Sequence, residues 1–126
     1  MKIFAGAMVA LLLIIAGANI YSNHMNNTLD DMKKQIDEII YFANKEEWQN
    51  CSQAFYDFNK QWHIDERWFS AFIHGDKISL MDEVISELET FIGYKNAEQT
   101  VAKSKVLKNH LKTISENEQL SAENLF

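Results

Sequence analysis

No proline occurs anywhere in the 126 residues, and glycine occurs four times, twice within the first 17 positions. Nothing therefore removes a backbone N–H or forces a kink, and a remainder rich in Leu, Ile, Ala, Glu and Lys favours helices with few sharp interruptions. Cysteine is represented by Cys51 alone, which excludes an intramolecular disulfide. It falls on an apolar helix face, the place of a small buried hydrophobe, and no Cys–His spacing supplies the base that a nucleophile needs. Positive charge is scarce: the formal net charge is −6, and it is more negative still without Lys2. Such a chain has no attractive field for phosphate backbones, which argues against nucleic acid as a partner.

The signatures of site chemistry are missing too. Four histidines, His24, His63, His74 and His110, invite a metal hypothesis. There is no HExxH and no Glu-x-x-His pair of the kind that builds di-iron bundle sites. His63 and Glu66 share a helical face at i, i+3, a common spacing for solvated pairs. His74, just before Gly75, suits the role of a cation at a helix end, with a pH-sensitive role as the sharper alternative. Asp82–Glu83 and Glu46–Glu47 are sequence neighbours, not facing acid/base partners. With no glycine-rich phosphate loop and no serine elbow, the expectation is a protein that is not an enzyme and holds no metal or cofactor.

What is present begins with "LLLIIAGANIYS" at residues 11–22. Between Ile3 and Tyr21 the one strongly polar side chain is Asn19, and 19 helical residues span roughly 28 Å, close to the ~30 Å of a bilayer's hydrocarbon. A cleavable signal has a shorter apolar part and a more basic start. The small residues Ala16-Gly17-Ala18 nevertheless offer a cleavage site after Ala18; they also suit a membrane helix. A retained anchor over residues 3–21, embedded in the lipid bilayer, is the favoured reading. The positive-inside count is nearly balanced; a very short N-terminal tail favours sending the body across, giving a single-pass cell-membrane protein with its helical domain outside the cytoplasm.

Past this segment the apolar residues fall into steps of three and four. Leu29, Met32, Ile36, Ile39 and Ala43 form one stripe; Trp48, Cys51, Phe55, Phe58 and Trp62 a second; Ile78, Met81, Ile85, Leu88 and Ile92 a third. Ala97, Thr100, Ser104, Leu107, Leu111 and Ile114 form a fourth, small or polar at its start. Each stripe lines one helical face and needs another to cover it. The fold class is therefore all-α: an N-terminal transmembrane helix, then two antiparallel hairpins packed as a small bundle.

Asn44 and Gly93 are placed for left-handed helix ends, and Thr28 and Asp76 for caps of the first and third helices. Shifting the chain by 49 positions lays Leu29 on Ile78, Ile36 on Ile85, Asn44 on Gly93 and Phe58 on Leu107, as in two copies of a hairpin, loosely like a tetratricopeptide pair. The second helix is expected to continue through Phe69 and Phe72 toward His74, with a bend at Asp65. The boundaries read as an anchor over 1–21, a juxtamembrane segment over 22–27, a bundle over 28–118 and a loose tail over 119–126.

Aromatics crowd residues 48–72, and most of them suit core filling. The sharper reading makes the end of the second helix a partner surface, with Trp62, Trp68, Phe69, Phe72 and His74 as its residues and a membrane protein or the lipid interface as its partner. Together, the apolar N-terminus, "IDEII…NKEEWQNC..AF", the aromatic "W..FI.HGD" junction, "MDEVISELETFI" and the ending "LSAENLF" resemble an uncharacterised family of small bacterial membrane-anchored helical proteins, known only as a domain of unknown function. The resemblance covers nearly the whole chain. It implies one membrane helix, an extracytoplasmic helical domain, no assigned activity, and an accessory place beside other membrane proteins. The expectation is thus a membrane-anchored, non-catalytic interaction module. The alternative is a secreted or periplasmic ligand binder, released after Ala18, with His63, His74 and Cys51 in a pocket between hairpins.

Overall fold

The computed structural model describes residues 2–71, 73 and 75–125, the side chains of residues 22 and 117–125 excepted. Among these residues all regular structure is helical: α1 (Lys2–Asn44), α2 (Trp48–Ser70), α3 (Gly75–Gly93) and α4 (Ala97–Leu125). Helix α1 packs most extensively against α4 and then α2, α3 packs on α4, and the α2–α3 boundary is the slightest of these four. The helices form a closed antiparallel ring, a four-helix bundle. In a tetratricopeptide-like stack the first and last helices would stay apart; here they share the largest boundary, because both keep an apolar stripe that no other element covers.

The predicted stripes are the core. Leu29, Met32, Ile36, Ile39 and Ala43 of α1 are fully buried or nearly so, as are Cys51, Phe58 and Trp62 of α2, Met81 and Leu88 of α3, and Leu107 and Leu111 of α4. Thr100 and Ser104 sit inside as well, where the Ser104 hydroxyl donates to the Thr100 carbonyl at 2.7 Å and so needs no partner from another helix.

Helix α1 is unusual in being one 43-residue element, about 64 Å long, that does two jobs. Its first half touches no core: an apolar window of mean hydropathy 2.4 is long enough to cross a membrane, and none of it is buried within the protein. Packing against the core begins at Tyr21, and full burial at Met25. The "NHMNNTL" stretch is helical throughout, and Thr28, expected as a cap, lies in mid-helix and is buried. Met25 and Leu29 give this stretch an apolar face to bury, so no break is needed.

The two hairpin turns share one hydrogen-bond pattern at an offset of 49. Glu47 N–H donates to Phe42 O at 2.9 Å and Glu46 N–H to Ala43 O at 3.1 Å; Asn96 N–H donates to Phe91 O and Lys95 N–H to Ile92 O, both at 3.0 Å. These are paired Schellman bonds. The left-handed residues are Glu46 (φ 57°) and Lys95 (φ 56°), not Asn44 and Gly93. Each helix runs past its stripe by one residue, and the reversal falls two positions later.

Three other boundaries, and the course of α2, differ from expectation. Helix α2 passes through Asp65 unbroken, with the Gln61 side-chain amide donating to the Asp65 carboxylate one turn on. It then ends at Ser70, short of His74. Asp76 lies in the first turn of α3, which starts at Gly75, and α4 continues helically to Leu125 where a loose tail was expected.

Candidate functional site

The chemistry-bearing side chains among the described residues do not converge. Among the described residues no group of three or more His, Cys, Asp or Glu is placed to hold a metal ion. Cys51 is fully buried, with its Sγ 3.7 Å from the Ile39 carbonyl oxygen, and burial pushes its thiol up to about 11. His63 lies on the exposed side of the same helix, paired with Glu66 at 3.3 Å. Twelve residues of helix, about 18 Å, separate it from Cys51, so the two cannot share a pocket. At the far end of α1, the Tyr41 side chain raises the Lys45 pKa by hydrogen bonding and, second, by charge; the Lys45 Nζ lies 4.5 Å from the ring centroid.

Two of the hollows among the described residues are open surface grooves. One of about 290 Å³ between α1 and α4 is lined by Lys33, Lys105, Lys108, Asn109 and Lys112. Its lysines are largely matched: Lys108 bonds Asp37 at 2.7 Å, and Lys33 and Lys112 lie 4.0 Å from Asp30 and Glu116. Another, of about 420 Å³, lies along the outer face of α2 beside Tyr56, Asn59, Lys60, His63 and Ile64.

The aromatic end of α2 is where the structure gathers what the sequence singled out, and it divides those residues. Trp62 is wholly buried, and its indole Nε1–H donates to Asp82 Oδ1 of α3 at 2.9 Å. Phe69 is 1% exposed and stacks on Trp62 with ring centroids 5.9 Å apart. Neither can present a face to a partner, which corrects their place in the expected surface. An apolar ring on the inward stripe is worth more against the core than in water. Trp68 is half-buried. Its ring lies 4.8 Å from Tyr21, tilted at 36°, and 4.8 Å from His24, edge-on at 81°. Phe72 and His74 lie outside the described residues.

Tyr21, His24 and Asp82 are the participants that the sequence reading missed. A signal existed for two of them: about a turn centred on Glu46, position 24 faces position 68. A turn centred on Asn44 sets position 24 against position 64 instead, so the pairing becomes visible once the reversal is known to fall at Glu46. The Asp82–Trp62 bond crosses between hairpins and leaves no mark in the spacing.

The chain matches the family described as "Domain of unknown function (DUF4363)" over residues 20–125. It belongs to that family, and the matched region begins where α1 enters the bundle, leaving the apolar stretch outside. Comparison with curated proteins gives no match, and comparison with solved structures gives none either.

Proposed function

We propose that this protein is a membrane-anchored, non-catalytic helical module, accessory to another membrane protein, with its bundle on the outer side of a cell membrane. The observation that carries the reading is α1 itself: one unbroken helix, apolar and uncovered in its first half, core-forming in its second. An apolar surface of that size calls for lipid or another protein around it. Holding a bundle at a membrane raises its local concentration, so a weak contact there is well occupied. A role through contact also fits how the polar side chains are used. Ser104, Thr90 and Thr113 donate to carbonyls of their own helix, and Asp82 ties α3 to α2. The exposed apolar residues Tyr56 and Ile64, beside the α2 groove, are the surface we assign to the partner in place of Trp62 and Phe69.

Alkaline extraction of membranes from the native source, with intact mass of the recovered chain, tests the anchor. Recovery in the membrane pellet with residues 1–18 present is expected; a soluble form beginning at Asn19 overturns it. Photo-crosslinkers at positions 56 and 64 test the partner: a defined membrane-protein adduct is expected, and its absence removes the accessory role.

Release after Ala18 is the second reading, and one observation favours it: every buried core residue lies beyond the cut, from Met25 onward. Against it, the apolar stretch is long enough to cross a bilayer, longer than the apolar part of a cleavable signal.

A further inference from the structure

We propose that the end of the bundle from which the apolar half of α1 emerges is itself a lipid-binding surface: Trp68, packed on Tyr21 and His24, seats in the headgroup and carbonyl layer and sets how the bundle stands on the bilayer. The inference rests on the anchor reading above and adds a second, independent contact to it. Three observations fix the placement. Tyr21 closes the apolar stretch, and the helix continues from there into the core without a linker, so the base of the bundle has no freedom to stand away from the membrane. The Trp68 ring, from a different helix, lies 4.8 Å from both the Tyr21 and His24 rings and therefore at the same height. Helix α2 ends two residues later, at Ser70, so the return toward α3 is made at this same end.

The chemistry suits that layer. Indole and phenol rings join an apolar body to a polar tip and concentrate where hydrocarbon meets water. Trp68 is half-buried where Trp62 and Phe69, beneath it, are sealed. Arg67, the chain's single arginine, is exposed in the last turn of α2 next to Trp68, placed for a lipid phosphate. The lysine groove is no competitor for the lipid. Lys33 lies twelve helical residues beyond Tyr21, about 18 Å further from the membrane, and three of its four lysines have carboxylates beside them.

The test is tryptophan quenching of the full chain in phosphatidylcholine vesicles carrying nitroxide-labelled lipid. A label at the headgroup is expected to quench more than one near the acyl-chain end. Trp68→Phe, which keeps an aromatic ring in place, is expected to lose most of the headgroup quenching, whereas Trp48→Phe, at the opposite end of α2, retains it. Stronger quenching by the deep label, or headgroup quenching that survives Trp68→Phe in a chain that still floats with the vesicles, overturns the docking and leaves the anchor standing. A chain that fails to float with vesicles overturns both. The comparison of shallow and deep labels on the unaltered chain decides the matter even if Trp68→Phe does not fold.

Discussion

Trp62 and Cys51 show what single side chains contribute once they are enclosed. The Trp62 N–H has one acceptor, Asp82 on the neighbouring helix. Asp82→Leu removes the acceptor from a partly buried bond, and since a fully buried unmade hydrogen bond costs about 1–3 kcal/mol, a loss toward the lower end of that range is expected. Asp82→Asn keeps an acceptor oxygen and is expected to cost less, so denaturant unfolding of the detergent-solubilised chain, followed by circular dichroism, should rank the two in that order. For Cys51 the sign follows from burial. Its thiol loses a proton at about 11 in the fold against 9.0 for an ordinary thiol. Below pH 9 both states are protonated and nothing is gained or lost. Between about pH 9 and 11 the unfolded chain alone ionises, so stability falls across that window. Compared with Cys51→Ala, the wild-type chain should weaken more steeply as pH rises through it, and folded Cys51 should resist alkylation at pH 8 until denaturant is added.

At the level of helices and turns, the two hairpin reversals place glutamate and lysine where glycine is the usual choice. A left-handed conformation costs a non-glycine residue roughly 1–2 kcal/mol, partly offset because glycine loses more freedom on folding. Glu46→Gly and Lys95→Gly are each expected to stabilise the bundle by roughly 0.5–1 kcal/mol, read as a rise in Tm. Asn44→Gly, in a helical position, is expected to destabilise it. Helix ends were the least legible feature of the sequence for a physical reason. The apolar stripe reports what must be buried, whereas the reversal is set by backbone hydrogen bonds to Phe42 and Phe91, which any residue able to accept a left-handed conformation permits. The stripes themselves were fully legible, since each needed only its own period.

At the scale of the whole molecule, one helix joins an apolar stretch long enough to cross a membrane to the core of the bundle. Because the apolar half of α1 covers no core, altering it should change location without changing the fold. Leu12→Arg with Ile14→Arg is expected to add about 2.5–3.5 kcal/mol per residue to the cost of membrane insertion. The doubly substituted chain should leave the membrane pellet while the bundle's helical content and unfolding midpoint stay as they were. Loss of the fold together with the location would show that the two halves depend on each other. The candidate surface was only partly legible at this scale. Trp62, Trp68 and Phe69 were picked out together, yet packing across α1, α2 and α3 buried two and left one at the base.

From composition and periodicity alone came the all-helical class, the four apolar stripes and a stretch long enough to span a bilayer, because each depends on side chains a few residues apart on a single helix. Tertiary structure decided the closing of the ring between α1 and α4, the continuity of the apolar stretch with the core, and which of the described aromatics were buried. Those outcomes depend on which face meets which neighbour, and that is a relation between segments distant in the chain, carried by no local pattern.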